Sequence, residues 1–224
     1  MAVLFNISLD KKEGFFMEKL FGYDNKFFET LGKITDIIIL NLLFISFSML
    51  IVTIGASITA TYSVAMKMEK GEDTYIIREF IKKFKENFKV STIIWILLLL
   101  IGMVLALDFY ICNSISNELI SNIFKLVFTT ISIIFIFVFI YIFPIISKFE
   151  NTIKNTIVNS TLISIQNLPY TLIMVLVSLI PIISFYVFSS YWGYILFFYT
   201  VIGFGIIAYA NSIFLNKVLD KYIC

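Results

Sequence analysis

The sequence predicts an all-α protein, a polytopic transmembrane helical bundle, on three observations. Hydrophobic residues make up 60% of the 224 residues, charged residues make up only 14%, and the mean hydropathy is +0.97. A soluble domain of this length cannot bury so much apolar surface, so lipid is the expected solvent. The apolar residues also form runs of about 20, the length at which a helix crosses a bilayer core.

Five apolar runs have the length and composition of membrane spans. They lie near residues 34–52, 90–111, 123–146, 169–188 and 194–214, after an N-terminal segment of residues 1–33. The chain, residues 1–224, is therefore expected to form a single membrane domain. The shorter, semi-polar stretch 53–68 is the candidate for a sixth span, in which small residues such as Gly55 and Ala56 would allow close packing inside the bundle.

The distribution of basic residues favours six crossings. If 53–68 crosses, every Lys and Arg except Lys125 lies on one side. That side is then the cytoplasmic side of a bacterial plasma membrane, and both termini lie inside. If it does not cross, the lysines before the first span face outside. Five crossings are the alternative, with 53–68 as a re-entrant segment or an amphipathic helix at the surface.

Two amphipathic segments between the spans predict interfacial helices on the cytoplasmic side. Residues 75–89 carry one apolar stripe at helical spacing and a basic opposite face. We expect this helix to lie along the membrane surface with its phenylalanines at the acyl boundary. Residues 149–167 form the second segment, with Phe149, Ile153 and Ile157 on one face.

Polar residues within or beside the spans are candidate functional residues, because polar groups are costly in lipid and tend to face partners, cavities or ion paths. The candidates are Asp36, Asn41, Thr53, Ser57, Asp108 and Asn211. Packing is the competing interpretation. Asp36 would pair with Lys33, Asn41 would tie neighbouring helices together, Asp108 would be solvated at the outer edge, and Asn211 would belong to a close-packed seam.

Motifs for known chemistry are absent from the sequence. It contains no phosphate-binding loop, CxxC, HExxH or GxSxG pattern, and no histidine. We therefore expect no catalytic residues, no bound metal and no cofactor, and a protein that is not an enzyme. The net charge of +2 is too small to indicate nucleic acid as a partner.

Several local patterns resemble the YesL family of bacterial membrane proteins. Residues 36–41 read DIIILN, residues 52–57 read VTIGAS, and residues 84–89 read FKENFK. Leu107-Asp108 and Asn167-Leu168-Pro169 also fit, whereas Leu50 stands where the family often has proline. That family has no established biochemical activity. The resemblance implies a context of carbohydrate ABC importers and glycan-degrading enzymes, which lie in neighbouring genes.

Together these observations predict a non-enzymatic accessory or regulatory partner of a carbohydrate ABC importer. The expected partners are the lipid bilayer, importer subunits and a second copy of the chain. The residues expected to dock the importer belong to the basic helix, and they are Arg78, Lys82, Lys83, Lys85, Asn87 and Lys89. The alternative is a small-solute carrier or channel lined by Asp36, Asn41 and the stretch 53–63.

Overall fold

The protein is described here by a computed structural model that covers residues 26–72, 75–115 and 117–223. Within these ranges the chain is almost entirely helical and has no strand. Six helices are long and apolar enough to cross a membrane. The predicted all-α membrane fold is therefore confirmed. Residues 1–25 of the predicted N-terminal segment lie outside the described residues.

Eight α-helices make up the described chain. They are α1 (Lys26–Phe47), α2 (Ile54–Glu69), α3 (Ile76–Asn113), α4 (Glu118–Lys148), α5 (Ile153–Gln166), α6 (Leu168–Val187), α7 (Trp192–Phe198) and α8 (Phe204–Leu219). A π-helical segment, Tyr199–Gly203, joins α7 to α8. Short 3-10 turns occupy Ile51–Thr53, Ser189–Tyr191 and Asp220–Tyr222. The chain divides into one unit up to Ile37 and a second from Ile38 onward, and the packing below is that of the second.

Helix α3 is longer than the sequence suggests, because the expected interfacial helix at 75–89 continues without a break into the expected span at 90–111. Its 38 residues extend about 57 Å, nearly twice the thickness of a bilayer core. The apolar stripe packs against protein. Phe80 is fully buried, with its ring centroid 5.4 Å from that of Phe47, in a cluster that includes Ala60 and Val64.

Helices α2 and α3 form an antiparallel pair with very close backbones. Thr59 and Ser91 share a buried hydroxyl hydrogen bond of 2.8 Å. A Cβ atom added at Gly55 would lie 2.6 Å from the Ser91 carbonyl oxygen and 2.6 Å from the Trp95 Cβ. Only glycine fits there, so the small residues of 53–68 do bring helices close together, as expected.

Helix α5 matches the second expected amphipathic segment in position. Its buried stripe carries Thr156, Ser160 and Ser164, and on the same side of the helix Ile153 and Ile157 are half-buried and pack against an apolar cluster of α3 and α4. Each of the three hydroxyls donates to a backbone carbonyl three or four residues earlier. The small, internally satisfied side chains let α5 pack closely on α4.

Candidate functional site at the basic end

Three helices end together at a cluster of charged side chains, which we call the basic end. The Asp220 carboxylate lies 2.9 Å from the Lys70 Nζ and 2.5 Å from the Lys148 Nζ, so it joins the C-terminal ends of α2, α4 and α8. The hydrogen bond from Lys148, followed by that from Lys70, holds the pKa of the Asp220 carboxyl below its ordinary value. Asp220 is thus the hub of this end.

A second set of contacts fastens α2 to its neighbours just inside this hub. The Asn216 Nδ2 donates to the Met66 carbonyl oxygen (2.9 Å) and to the Glu69 carboxylate (2.5 Å). Lys67 donates to Glu79 on α3 at 2.7 Å, and this hydrogen bond lowers the pKa of the Glu79 carboxyl. The end of α2 is therefore held by both α3 and α8.

A polar cleft of about 840 Å³ lies between α3 and the connection from α4 to α5. One wall consists of Lys83, Glu86, Asn87 and Val90 on α3; the other consists of residues 146–152 and Thr156. The connection comprises only residues 149–152. Phe149 is extended and ends α4, and the Thr152 hydroxyl begins α5 by accepting a hydrogen bond from the Asn155 N–H at 3.3 Å. The cleft is lined by acidic and basic side chains and by several amide and hydroxyl side chains.

The residues predicted to dock a partner divide between the cleft and the outer surface of α3. Lys83 and Asn87 line the cleft; Lys83 pairs with Glu86 at 2.8 Å, and the Asn87 Nδ2 donates to the Lys83 carbonyl oxygen at 3.1 Å. The other four, Arg78, Lys82, Lys85 and Lys89, are exposed. The predicted set therefore includes part of a concave surface.

Asn41 holds the π-helical segment, and the sequence does not reveal this partner. Its Nδ2 donates to the carbonyl oxygens of Tyr199 (3.2 Å) and Thr200 (2.7 Å), and its Oδ1 accepts the Gly205 N–H at 2.8 Å. The side chain is completely buried. A π-helical turn disturbs the regular backbone pairing of a helix, and Asn41 satisfies three of the groups concerned.

Thr53 and Ser57 satisfy backbone carbonyls in the turn between α1 and α2. The Thr53 Oγ1 donates to the carbonyl oxygens of Phe47 (2.5 Å) and Leu50 (2.8 Å). The Ser57 Oγ donates to the Thr53 carbonyl oxygen at 3.1 Å. Both side chains therefore close the turn, and neither hydroxyl is free to donate to a solute.

The remaining intramembrane candidates lie far apart. The Asn211 Nδ2 donates to the Tyr62 hydroxyl (3.3 Å) and the Ser178 hydroxyl (3.0 Å), so it links three helices. Asp108 is half-buried near the end opposite the basic end. In the unit that ends at Ile37, Asp36 is half-buried, and Lys33 pairs with Glu29 at 2.7 Å and not with Asp36 as the packing interpretation expected.

The sequence reasoning missed Asp220, Asn216 and Tyr62. Asp220 stands between lysines at the C-terminal end of α8, and nothing in the sequence shows that its partners come from two other helices. Asn216 lies one helical turn before Asp220, so both residues belong to one polar face at the end of the last span. That polar face was the feature of the sequence that could have identified them.

Comparison with known proteins gives one similarity. Residues 37–109 match a family described as "Protein of unknown function, DUF624", which covers about one third of the chain. No curated protein and no solved structure matches. The matched residues contain the end of α1, all of α2 and most of α3, so the chain is similar to this family over the α1–α2 hairpin and the long helix that packs on it.

Proposed function

We propose that the protein is a non-enzymatic accessory or regulatory subunit of a bacterial membrane complex, and that it binds its partner at the cleft of the basic end. The observation that carries the proposal is this cleft of about 840 Å³, one wall of which belongs to α3, the helix that also carries four exposed basic side chains. A concave polar surface next to the membrane is suited to a protein segment that leaves a neighbouring membrane subunit.

The charges of the cleft favour a peptide segment with acidic residues as the occupant. Lys82 and Lys89 are exposed one helical turn on either side of the cleft residue Glu86, and neither forms an ion pair among the described residues, so they attract carboxylates. Inside the cleft, Glu86 and Glu150 accompany Lys83 and Lys148. Such a mixed lining suits the donors and acceptors of a peptide backbone better than a simple anion.

The resemblance to the YesL family supports a carbohydrate ABC importer as the complex, in the bacterial plasma membrane. The similarity to the uncharacterised DUF624 family is compatible with this assignment and adds no activity. Because basic residues gather on the cytoplasmic side, the basic end and both termini are assigned to that side. The importer would therefore present the acidic segment from a cytoplasmic loop.

The intramembrane polar groups support an accessory role over a solute carrier. Asn41, Thr53 and Ser57 all bond to backbone groups of the protein itself. Side chains that line a solute path keep donors or acceptors free for the solute. Three of the side chains nominated for such a path therefore serve the packing of helices.

The test is a pull-down from the native host in mild detergent after cross-linking. We expect the wild-type chain to recover importer subunits, and the double variant Lys82→Glu/Lys89→Glu to lose most of them because two attractions become repulsions. Lys125→Glu, on α4 away from the basic end, is the matched control and should recover them as the wild type does. Recovery of only this chain, or equal recovery by the double variant, would contradict the proposal.

A further inference from the structure

A partly open apolar cavity of about 160 Å³ lies between the helices, separate from the cleft. Its walls are mainly aromatic and aliphatic, and they include Phe44, Ile58, Phe139, Phe143, Phe204 and Ile207. An engineered apolar cavity of about 150 Å³ in a soluble protein stays free of water and binds benzene. The present cavity therefore has room for a ring of six or seven heavy atoms.

One edge of the cavity is polar and has an unequal number of donors and acceptors. Tyr62 and Ser178 both line the cavity, and their hydroxyls both accept hydrogen bonds from the Nδ2 of Asn211, whose buried Oδ1 has no hydrogen-bond partner among the described residues. Among the hydrogen bonds of the described residues, neither hydroxyl donates. Each retains a proton without an acceptor, in surroundings where an unmade hydrogen bond is costly.

The position of the cavity restricts the ligand further. Phe143 lies five residues before Lys148 and Ile58 lies twelve residues before Lys70, so the walls are about 8 to 18 Å from the basic end along the helices. Among the described residues, no Lys, Arg, Asp or Glu side chain lines the cavity. A ligand at this depth has to dissolve in hydrocarbon and carry no charge.

We propose that this cavity binds a compact, uncharged, membrane-soluble carbonyl compound, whose oxygen accepts hydrogen bonds from the Tyr62 and Ser178 hydroxyls. The aromatic walls hold the hydrocarbon part, and Asn211 orients both hydroxyls through its Nδ2. The site does not depend on the cleft or on a partner protein, so its test is independent of the test of the accessory role.

The experiment compares cyclohexanone with methylenecyclohexane, which has the same shape and no acceptor oxygen. Binding of each to the full chain in lipid nanodiscs is measured by saturation-transfer NMR and corrected for partition into protein-free nanodiscs. We expect cyclohexanone to bind about three- to tenfold more tightly, the effect of one neutral hydrogen bond. Equal affinity, or no saturable binding of either compound, would overturn the proposal.

Three variants locate the binding. Tyr62→Phe keeps the ring and removes one hydroxyl, so it should lower the affinity ratio of the two compounds, and Tyr62→Phe combined with Ser178→Ala should bring the ratio close to one. Ala208→Leu fills the cavity and should abolish binding of both, whereas Ala210→Leu, on the same helix but away from the cavity, should not. If Ala208→Leu fails to fold, the Tyr62→Phe ratio still decides, and an unchanged ratio rejects the site.

Discussion

Replacing Asn41 by leucine should destabilise the protein, because this buried amide satisfies three backbone groups around the π-helical segment. The variant loses donations to the carbonyl oxygens of Tyr199 and Thr200 and the bond accepted from the Gly205 N–H. Interhelical hydrogen bonds in membrane proteins contribute about 0.6 kcal/mol each on average, which sums to about 2 kcal/mol. A buried N–H left without a partner adds about 1 to 3 kcal/mol.

The free energy of unfolding of Asn41→Leu is therefore expected to fall by about 3 to 5 kcal/mol. It is measured by titrating the protein from mild-detergent micelles into SDS and following helicity by circular dichroism. Asn122→Leu is the control, since Asn122 is an exposed asparagine on α4. A decrease below about 0.5 kcal/mol for Asn41→Leu, similar to that of the control, would refute the assigned role of this amide.

Two further predictions concern packing and charge. Gly55→Ala should lower the free energy of unfolding by about 1 to 3 kcal/mol, since its Cβ would lie 2.6 Å from two atoms of α3, whereas Gly193→Ala, in open space, should not. Asp220→Asn should cost about 1 kcal/mol or less at pH 7, because both of its ion pairs are partly exposed. The folded-state pKa of Asp220 lies below its unfolded value of about 3.9, so this contribution is present above that pH and is lost as the pH falls through the folded-state pKa. The acid loss of stability below about pH 4 should be shallower in Asp220→Asn.

Hydropathy predicts the spans well because lipid selects strongly for long apolar helices, but it misplaces one boundary. The change from a basic amphipathic pattern to an apolar one near Val90 suggests two elements, yet α3 runs through it. A helix needs a breaker to end, and residues 76–113 contain no proline, while their one glycine, Gly102, lies deep in the span. The absence of proline and glycine near Val90 therefore predicts the continuous helix better than the change in hydropathy does.

The buried face of α5 and the role of Asn41 differ in how far the sequence reveals them. For α5, Ile153 and Ile157 lie on the side that packs against protein, and Thr156, Ser160 and Ser164 on that side are the small residues that membrane helices use for contact. For Asn41, the sequence shows a polar residue in a span and nothing more. Its partners are backbone groups of a π-helical turn far along the chain, and a π-helical turn leaves no mark in residue types.

The cleft was only partly predictable. Its α3 wall follows from the helical spacing of Lys83 and Asn87, which the sequence already placed among the docking residues. The opposite wall depends on how sharply the chain turns after Lys148, and so on the extended backbone of Phe149. Long-range ion pairs such as those of Asp220 arise from that packing and cannot be read from local spacing.

The depth of the turn between α1 and α2 leads to the last prediction. The Trp95 Nε1 donates to the Ile51 carbonyl oxygen at 2.7 Å, so this turn lies level with Trp95 on α3. Thirteen residues, or about 20 Å, separate Trp95 from Asp108. The turn is thus far short of the end opposite the basic end.

Two helices that meet at this depth fit a re-entrant hairpin, although each is long and apolar enough to cross. A re-entrant hairpin adds no full crossing, so the number of crossings stays even, as it is with six. Charge counting cannot separate these two arrangements, but accessibility can. Met49 and Leu50 in the turn are 84% and 68% exposed, which suits apolar side chains in hydrocarbon.

In a chain with Cys112 and Cys224 replaced by serine, we expect Leu50→Cys to resist a membrane-impermeant maleimide added to intact cells or to inverted vesicles. Tyr110→Cys, exposed near the other end of α3, should react in intact cells. Rapid labelling of both cysteines in intact cells would place the turn at the outer surface and require six full crossings. Resistance at residue 50 alone would mean that the even number of crossings inferred from charge is four, with the hairpin reaching only part-way through the bilayer.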